Sequence, residues 1–575
     1  MKKESESFPG KIFVENNIVT REELDIGIRE QQRRDSRYLG LTLVKLGFAA
    51  EEEILPILAE QLSVPYVKVK DKDIDPSVIE KVPAKVVYHY KVMPLEMKNG
   101  ILTMAVTDPL AVHVLDDIRL LLGCEIKPVL GGEKDILEGL NKYYGIGAET
   151  VEGMIDETGL AKVKESSLSE TVPEDIEDLA EDASIIRFVN QILLQAFHDR
   201  ATDIHIEPFE DELQVRYRID GVLYETSIPP TIKHFQAAII SRIKIMAKLD
   251  IAERRLPQDG RIKVKVGEEE LDLRVSILPT PHGESVNIRL LSSRYMLLGL
   301  KNLGLSDKDI TILELMIKKP HGIILVTGPT GSGKTTTLYA CLSKINNNEK
   351  KIITIEDPIE YQLKGITQIQ ILPKIDLTFS RGLRSMLRHD PDVMMVGEVR
   401  DYETAEITIR VALTGHLVFS TLHTNDAAGA VTRLLDMSIE PYLISSSVEC
   451  IIAQRLVRLI CPDCKHEVKQ KKELIEEMGF TKEILETEAI IFEGKGCEKC
   501  KFTGYRGRTG IYEFLVMNDE IRQLVLERTP ANIIKEKAIS LGMRTLRQDG
   551  WEKVRKGLTT ASEVVRVTQQ EDIME

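Results

Sequence analysis

Aromatic residues are scarce in this sequence: phenylalanine, tyrosine and tryptophan make up 5% of its 575 residues, and Trp551 is the only tryptophan. They form no stripe on which the bases of a single-stranded nucleic acid could stack. An excess of basic charge is also lacking, because the formal net charge is -15. The composition therefore disfavours nucleic acid as a partner. It does not exclude a hexameric nucleic-acid motor with a narrow basic pore, because such a pore adds little to the net charge.

Long apolar runs are missing as well. The longest, such as GIILV at 322–326 and HLVF at 416–419, fall far short of the ~20 residues that a membrane-spanning helix needs. We therefore expect a cytoplasmic protein, peripheral to a membrane only through partners. Residues 148–182 contain twelve acids and two lysines, which accounts for ten of the fifteen net negative charges, and this composition predicts a flexible acidic linker.

The sequence does contain a phosphate-binding loop of the Walker A type. GPTGSGKTT follows an apolar run and opens a helix-forming segment, and this context favours nucleotide binding over a purely connecting glycine turn. The lysine supplies a point charge, and the Thr335 hydroxyl can ligate magnesium. The predicted nucleotide-binding residues are Gly328, Pro329, Thr330, Gly331, Ser332, Gly333, Lys334, Thr335 and Thr336.

Three further apolar runs end in polar residues, at the place where an open α/β sheet positions its ligand-binding groups. Glu356 follows KIITI, and a carboxylate there can orient and deprotonate water. Glu398 follows DVMMVG, where Gly397 stands in place of the usual Walker B aspartate, so we expect Glu398 to handle magnesium. His423 follows HLVFSTL and can sense the γ-phosphate. Any one of these could be structural, but their order after a phosphate loop favours function.

Before the linker, the chain holds an internal repeat. Residues 10–31 align with residues 40–61 at a shift of thirty, so that Glu23 meets Glu53 and Gln31 meets Gln61. Their apolar spacing predicts a pair of short helices per unit. We place a helical-repeat module at 1–66 and a small α/β domain at 67–147, where short strands and helices alternate.

Residues 183–297 read as a further α/β domain that carries several arginines on its strands. An isolated arginine on an amphipathic strand is usually solvated or salt-bridged. Several in a domain coupled to a nucleotide site make phosphate contact more plausible. The candidates on strands are Arg216, Arg218, Arg274 and Arg289. The RRLPQDGR loop is expected to add Arg254, Arg255 and Arg261.

Only seven cysteines occur, and four of them form two CxxC pairs, Cys461 with Cys464 and Cys497 with Cys500. Paired CxxC knuckles satisfy tetrahedral zinc. Thioredoxin-like redox chemistry is the competing interpretation, but two matched pairs in a cytosolic chain favour a closed, structural zinc site.

Over about residues 181–570 the chain resembles the ATPases of bacterial type II secretion and type IV pilus assembly. GPTGSGKT, ITIEDPIEY, GEVRD and TGHLVFSTLHTND occur in that family's order. The resemblance implies a RecA-like ATPase domain at 298–575 with a zinc-binding insertion at 461–500, preceded by a PAS-like α/β domain at 183–297. It also implies a hexamer that binds ATP, Mg²⁺ and structural Zn²⁺.

The resemblance further implies roles for individual residues. Glu356 would be the general base, Glu398 the Walker B acid and His423 the histidine-box residue, while Arg274 and Arg289 would reach the nucleotide phosphates. Further candidates flank the Walker B stretch, namely Arg384, Arg388 and Arg400.

Phrases such as TFSRGLRSMLRHDPDV favour the secretion type (GspE) over the pilus-extension type (PilB). In the secretion type, the N-terminal module would dock to inner-membrane platform proteins of the GspL or GspF kind.

The N-terminal repeat resembles the duplicated motif of MshEN-type domains, some of which bind cyclic di-GMP. That motif opens with Arg-Leu-Gly, whereas this chain has Phe8-Pro9-Gly10 and Tyr38-Leu39-Gly40. The usual arginine is missing from both copies, so a partner-docking module is favoured over a dinucleotide receptor. A scaffold that binds ATP without hydrolysing it is the remaining alternative.

Overall fold

The structure, a computed structural model, describes residues 11–16, 18–34, 39–109, 111–158, 183–266, 269–292, 299–468 and 491–568. The chain forms two compact units, residues 1–290 and 291–575. None of the helices in the described ranges combines the length and the apolar composition that crossing a bilayer requires.

The first unit begins with two pairs of helices: α1 (Lys11–Glu15), α2 (Arg21–Arg34), α3 (Leu39–Lys45) and α4 (Glu51–Leu62). This arrangement fits the predicted repeat of paired helices. Glu23 accepts a hydrogen bond from the Thr20 amide at the start of α2, and Glu53 accepts one from the Ala50 amide at the start of α4. Each carboxylate satisfies an amide at a helix start, where amides lack intrahelical partners. The two pairs share a small apolar core of Phe13, Val19, Leu24, Leu43 and Ile54.

A small α/β fold follows, as the alternating pattern predicts. Its helices are α5 (Pro76–Ile79), α6 (Ala84–Tyr90), α7 (Val112–Leu122) and α8 (Glu133–Tyr143). Its strands are β1 (Met93–Lys98), β2 (Ile101–Val106) and β3 (Glu125–Leu130). The sheet has the order β1-β2-β3, with the first pair antiparallel and the second parallel.

The start of the predicted acidic linker is a helix, α9 (Ala148–Thr158), which differs from the flexible segment expected there. Val151 and Met154 are buried in the core of the domain that follows, so apolar packing holds this helix despite its charge. Glu152 accepts hydrogen bonds from the amides of Ala84 and Lys85 at the start of α6, at 2.8 Å each. The rest of the predicted linker, residues 159–182, lies outside the described residues.

The remainder of the first unit is a six-stranded sheet with two main helices. The helices are α10 (Ala183–His198) and α11 (Gln236–Ala247). The strands are β4 (Ala201–Pro208), β5 (Leu213–Ile219), β6 (Val222–Glu225), β7 (Gln258–Val266), β8 (Glu269–Thr280) and β9 (Gly283–Ser292). The sheet order is β6-β5-β4-β9-β8-β7. Apolar residues alternate along the strands, and those that face inward pack against α10 and α11 to form the core.

The second unit is built on a seven-stranded sheet. Its strands are β10 (Gly322–Thr327), β11 (Ile352–Glu356), β12 (Thr367–Gln370), β13 (Val393–Val396), β14 (Leu417–Leu422), β15 (Val448–Ile460) and β18 (Tyr505–Val516). They lie in the order β12-β11-β13-β14-β10-β15-β18, and every pair is parallel except the last. The central strands are buried along their whole length, as expected for a parallel sheet that helices cover on both faces.

The helices of this unit fall into two groups. Six of those described precede or connect the parallel strands: α12 (Asp307–Met316), α13 (Lys334–Ile345), α14 (Phe379–Met386), α15 (Tyr402–Leu413), α16 (Ala427–Asp436) and α17 (Pro441–Ser447). After β18 come α18 (Asp519–Leu526), α19 (Ala531–Ser540), α20 (Leu546–Arg555) and α21 (Ala561–Thr568). A two-stranded ribbon of β16 (Lys465–Val468) and β17 (Ile491–Gly494) lies between β15 and β18 in the chain.

Candidate active site

The predicted phosphate loop, residues 328–336, joins the end of β10 to α13. Gly328 has a φ of 153° and Gly333 a φ of 89°, values that glycine adopts far more readily than other residues. A Cβ at Gly328 would lie 2.5 Å from the carbonyl oxygen of Gln454, so no larger residue fits there. The loop leads directly into the N-terminus of α13, where backbone amides favour a bound anion.

Lys334, the first residue of α13, folds back over this loop. Its Nζ donates to the carbonyl oxygens of Gly328, at 2.7 Å, and Pro329, at 3.1 Å. Burial lowers the pKa of Lys334 to about 8, while the nearby Glu398 carboxylate acts in the opposite direction. Pro329 and Thr330 are exposed. A phosphate that reaches the exposed loop would offer this buried ammonium a charged partner in place of two carbonyl groups.

Glu356 ends β11 and is 3% exposed. Its Oε1 accepts hydrogen bonds from Thr354 Oγ1, at 2.6 Å, and Gln368 Nε2, at 3.1 Å. Its Oε2 accepts a hydrogen bond from the Tyr339 hydroxyl. These three donors replace the water that a buried carboxylate gives up, and they fix its orientation.

Glu398 follows the end of β13, and its carboxylate lies close to a histidine and an arginine. Its Oε2 lies 3.2 Å from His423 Nε2, and its Oε1 lies 2.7 Å from Arg400 Nη2. The structure explains why glycine, and not the usual Walker B aspartate, occupies position 397 directly before it. A Cβ at that position would lie 3.3 Å from the backbone of β11, both from the Glu356 Cα and from the Ile355 carbonyl oxygen, so a Walker B aspartate would push against the neighbouring strand.

The segment after β14, residues 423–427, is here called the histidine-box loop. Next to His423, the Thr424 amide donates to Thr327 Oγ1 at 2.8 Å, at the end of β10. Arg455 of β15 then donates from Nη2 to the carbonyl oxygen of Asn425 at 2.9 Å. The loop is therefore bonded to the residue that precedes the phosphate loop and to a buried arginine behind it.

The histidine-box loop ends at a buried carboxyl group. Glu513 of β18 is fully buried, and its Oε1 accepts a hydrogen bond from the Ala427 amide at 2.9 Å. Burial raises the pKa of Glu513 above its ordinary value. Asp426 of the same loop lies 3.4 Å from Lys535 on α19, which links the loop to the C-terminal helices.

The four strand ends predicted from the sequence are neighbours. The strands that deliver Glu356, Glu398, His423 and the phosphate loop are β11, β13, β14 and β10, which lie side by side in that order and run parallel. Their carboxyl ends therefore form one edge of the sheet. Thr335, in the first turn of α13, and Glu398, just after β13, both follow strands that end at this edge. Hydroxyl and carboxylate oxygens are the hard donors that Mg²⁺ prefers.

Of the candidate arginines of the first unit, all but Arg254 and Arg255 lie on strands of its sheet, and those two precede β7. Arg289 on β9 pairs with Asp203 on β4, with 2.9 Å between Nε and Oδ1. Arg274 on β8 stands directly opposite Arg261 on β7. The strand β7 begins at Gln258, so Arg261 belongs to a strand rather than to the predicted loop. In the second unit, Arg384 pairs with Glu403 at 2.8 Å, and Arg388 donates to the carbonyl oxygen of Arg384.

Three residues next to the predicted site carried no prediction: Tyr339, Gln368 and Arg455. Tyr339 and Gln368 hold Glu356, and Arg455 lies behind the phosphate loop, where its charge also lowers the pKa of Lys334. A sequence signal exists for Arg455 alone. Gln454 and Arg455 directly follow the apolar run CIIA within VECIIAQRLVRLI, and a polar pair inside a buried strand needs a partner.

The four paired cysteines come together as predicted, all with their sulfurs within 4.8 Å of one another. Cys461 and Cys497 Sγ lie 3.7 Å apart, and Cys464 and Cys500 Sγ lie 3.8 Å apart. These distances match the ~3.8 Å edge of a tetrahedron with Zn–S bonds of ~2.3 Å and exceed the ~2.05 Å of a disulfide. The donor set therefore fits zinc.

Comparison with protein families gives two matches. A model described as "Type II/IV secretion system protein" matches residues 178–566, and an MshEN domain model matches residues 62–150. The MshEN resemblance is thereby confirmed, but its position differs from the prediction. The match covers the end of α4 and the small α/β fold, whereas the sequence pattern placed the resemblance on the helical repeat before it.

Individual proteins are similar over nearly the whole chain. A type IV pilus assembly ATPase PilB of Myxococcus xanthus is 42% identical over 561 residues, 97% of this chain and 98% of its own length. A type II secretion system protein E of Xanthomonas campestris is 44% identical over 548 residues, 94% of this chain and 95% of its own.

Among solved structures, the ATPase DotB of Legionella pneumophila is 21% identical. It superposes with a TM-score of 0.50 over 67% of this chain and 96% of its own. At this identity the likeness concerns the fold alone.

Proposed function

The chain belongs to the Type II/IV secretion system protein family, and on that basis we propose that it is the hexameric motor of a type II secretion system. It is an ATP-hydrolysing enzyme, as its family and relatives indicate. The observation that carries the motor proposal is the single sheet edge at which the ends of β10, β11, β13 and β14 meet. In this proposal the protein is cytoplasmic and turns ATP hydrolysis into work on an inner-membrane platform.

The proposed chemistry assigns one task to each strand end. Lys334 and the loop amides bind the β- and γ-phosphates, and Glu356 directs the attacking water. Thr335 and Glu398 would hold Mg²⁺, which neutralises phosphate charge when bound. His423, at hydrogen-bond distance from Glu398, would respond to loss of the γ-phosphate. Arg274 and Arg289 would neutralise charge as that group leaves.

The four cysteines would hold a structural Zn²⁺. Asp463, in the first CxxC pair, forms ion pairs that stabilise this arrangement. Its Oδ1 lies 2.5 Å from Lys499 Nζ in the second CxxC pair, and its Oδ2 lies 3.5 Å from Arg506 Nη1. A charge-paired brace between the two knuckles suits a closed site with no open position. Metal analysis of the purified protein should find about one zinc per chain, which is lost together with thermal stability when the cysteines are replaced by serine.

Steady-state ATPase activity tests the motor proposal. The specific activity of wild type should rise with protein concentration, as an oligomeric enzyme requires. Lys334→Ala and Glu356→Gln should each lower it at least about 10²-fold. Lys344→Ala is a matched control, because Lys344 lies on the same helix and pairs with Glu314 away from the loop. Activity that survives Glu356→Gln would move the general base elsewhere. Activity that requires DNA and falls steeply with salt would favour a nucleic-acid motor.

Pilus extension is the second candidate, because the pilus relative from Myxococcus covers the chain as completely as the secretion relative does. Deletion of the gene in its own host separates the two. Loss of secreted enzymes from the medium with surface pili retained supports secretion, and the reverse supports pilus extension. Complementation with Glu356→Gln should restore neither phenotype.

We assign the N-terminal module a docking role toward the membrane platform. The support is the helical repeat and the MshEN match that follows it. Pull-down of full-length protein on the cytoplasmic domains of platform components tests this role. Titration with labelled cyclic di-GMP tests the other one, and saturable binding would make the module a receptor that gates the motor.

A further inference from the structure

Glu356 is held by a closed group of side chains from three elements. Tyr339 comes from α13, Thr354 from β11 itself, and Gln368 from the edge strand β12. We call these three residues with Glu356 the carboxylate cage. A water-directing carboxylate must keep one orientation throughout the reaction, because a displacement of about 1 Å can cost about 10²-fold in rate.

Tyr339 is the member of the cage that connects it to the phosphate loop. It stands five residues after Lys334 on α13, and it is 1% exposed. Burial, together with the charge of Glu356, raises the pKa of Tyr339 above its usual range. The hydroxyl therefore keeps its proton and donates to Oε2, and a hydrogen bond to an ionised acceptor is among the strong ones.

The ring of Tyr339 is itself fixed. It meets the ring of Tyr361 edge-on, with 4.8 Å between centroids. Gln368 is bonded to the same segment as Tyr361, since its Nε2 donates to the Tyr361 carbonyl oxygen at 3.1 Å and its Oε1 accepts from the Leu363 amide at 2.7 Å. The carboxylate cage is thus attached to the segment that follows Glu356, through Tyr361 and Leu363, and to the helix that begins at the phosphate loop.

We propose that Tyr339 is a positioning residue that sets the orientation of the Glu356 carboxylate relative to the phosphate loop, with Gln368 as its brace. The proposal rests on the proposed function in one respect, namely that Glu356 directs the attacking water. Tyr339 touches no reacting atom. It acts by connecting the first turns of α13, which carry Lys334, to the end of β11.

The test is Tyr339→Phe in the full-length protein, which removes one hydroxyl and keeps the ring. We expect kcat to fall about tenfold to a hundredfold, the size associated with a lost hydrogen bond to a charged group. The KM for ATP and the Kd of a non-hydrolysable ATP analogue should stay within about twofold. An unchanged kcat overturns the proposal, and so does a loss of nucleotide binding that equals the loss of rate.

Tyr512→Phe is the matched control. Tyr512 is a second buried tyrosine of the same apolar core, and its hydroxyl donates to the Leu303 carbonyl oxygen at 3.0 Å, away from Glu356. Each variant loses the hydrogen bond that its buried hydroxyl donates, and Tyr339→Phe also loses a long one that the hydroxyl accepts from Gln368 Nε2 at 3.4 Å. The two variants should lose similar thermal stability. Only Tyr339→Phe should lower kcat. An equal fall in both variants would mean that the effect is one of stability.

Gln368→Ala keeps the proposal testable if Tyr339→Phe folds poorly. It removes a donor to the other carboxylate oxygen and should lower kcat in the same direction without affecting ATP binding. Because both residues act through one carboxylate, the double variant should lose less than the product of the two single losses. Glu356→Gln distinguishes failure of the proposed role of Glu356 from failure of the positioning role of Tyr339. If it stays active, the role of Glu356 fails; if it is inactive while Tyr339→Phe keeps full kcat, only the positioning role fails.

Discussion

The ends of β11 and β14 belong to the same edge of one parallel sheet, yet their polar residues are held in different ways. At β11, a single buried carboxylate accepts hydrogen bonds from Tyr339, Thr354 and Gln368. At β14, the residues of the histidine-box loop are bonded one by one to the segment after β13 and to β10, β15 and β18. The first arrangement immobilises one group, and the second attaches a short loop to most of the sheet.

This difference separates two kinds of work that a motor needs. A preorganised carboxylate stabilises a transition state because no reorganisation is needed when the reaction occurs. A loop with several attachments can pass a displacement on, since each contact has a partner on another element. The ion pair between Asp426 and Lys535 extends those contacts to α19. Chemistry should therefore be concentrated at β11, and coupling should be distributed around β14.

The largest expected effect is that of Glu356→Gln. The substitution keeps the shape of the side chain but removes the base, so kcat should fall about 10²- to 10⁴-fold while ATP binding persists. His423→Ala should cost no more than about tenfold, or ~1.4 kcal/mol in activation free energy, because the other attachments of the loop remain. Steady-state kinetics of both variants checks this contrast. Equal losses would break it and would make His423 a catalytic group.

The second effect concerns pH. Because burial lowers the pKa of Lys334 to about 8, its charged fraction falls as the pH rises above this value. Nucleotide phosphates need the charged form, so the affinity for ATP should fall up to about tenfold per pH unit above pH 8. The nearby Glu398 carboxylate favours the charged lysine. Glu398→Gln should therefore move the loss to lower pH, and Glu356→Gln should leave it in place.

Calorimetric titration with a non-hydrolysable ATP analogue between pH 7 and 10 measures this dependence. An affinity that stays flat over that range contradicts the buried, neutralisable state of Lys334. If Glu356→Gln moves the pH at which affinity is lost as much as Glu398→Gln does, the prediction that only Glu398 acts on the charge of Lys334 is wrong.

The strand-end residues were predictable from the sequence, because apolar runs followed by polar residues mark the carboxyl ends of buried parallel strands. The same holds for the cysteine knuckles and the paired helices, which depend on spacing within one segment. Tyr339 and Gln368 could not be found in this way. Their common partner is Glu356, and nothing in the spacing of β12 says that it is the edge strand beside β11.

Two expectations differ from the structure for the same physical reason. The acidic segment from residue 148 was expected to be flexible on the basis of charge, but Val151 and Met154 pack into a core whose other residues lie far along the chain. Arg261 was expected in the RRLPQDGR loop, but it lies on a strand that pairs with β8. In both cases a contact with another segment of the chain overrides local composition.

The third effect tests the attachment of the histidine-box loop to β18. The raised pKa of Glu513 means that the protonated form is favoured in the fold. This contribution to stability is complete below the unfolded pKa and is lost as pH rises through the folded pKa. Glu513→Gln keeps an oxygen for the Ala427 amide and cannot ionise, so its Tm should exceed that of wild type at neutral pH. Each kcal/mol corresponds to roughly 2–4 °C.

Calorimetric scans at pH 5 and pH 8 check the sign, because the difference in Tm between variant and wild type should grow with pH. Glu563→Gln should behave in the opposite way. Burial opposes ionisation of Glu563, but hydrogen bonds from Arg566 and Arg458 outweigh it and lower its pKa to about 2. Its removal should therefore destabilise the protein at pH 8. A Glu513→Gln variant that is less stable than wild type at pH 8 contradicts the prediction.

The smallest effect is expected at Arg400, a solvent-exposed residue that follows the end of β13. Its side chain is 69% exposed although Nη2 lies 2.7 Å from Glu398, and exposed ion pairs are worth ~0–1 kcal/mol and weaken with salt. Arg400→Ala should therefore lower kcat less than about fivefold, with a smaller loss at high salt. Arg410→Ala is the matched control, since Arg410 is 72% exposed and pairs with Glu406 at 2.6 Å within α15. A hundredfold loss specific to Arg400→Ala would mean that this arginine acts on the nucleotide itself, and the end of β13 would then be as specialised for chemistry as the end of β11.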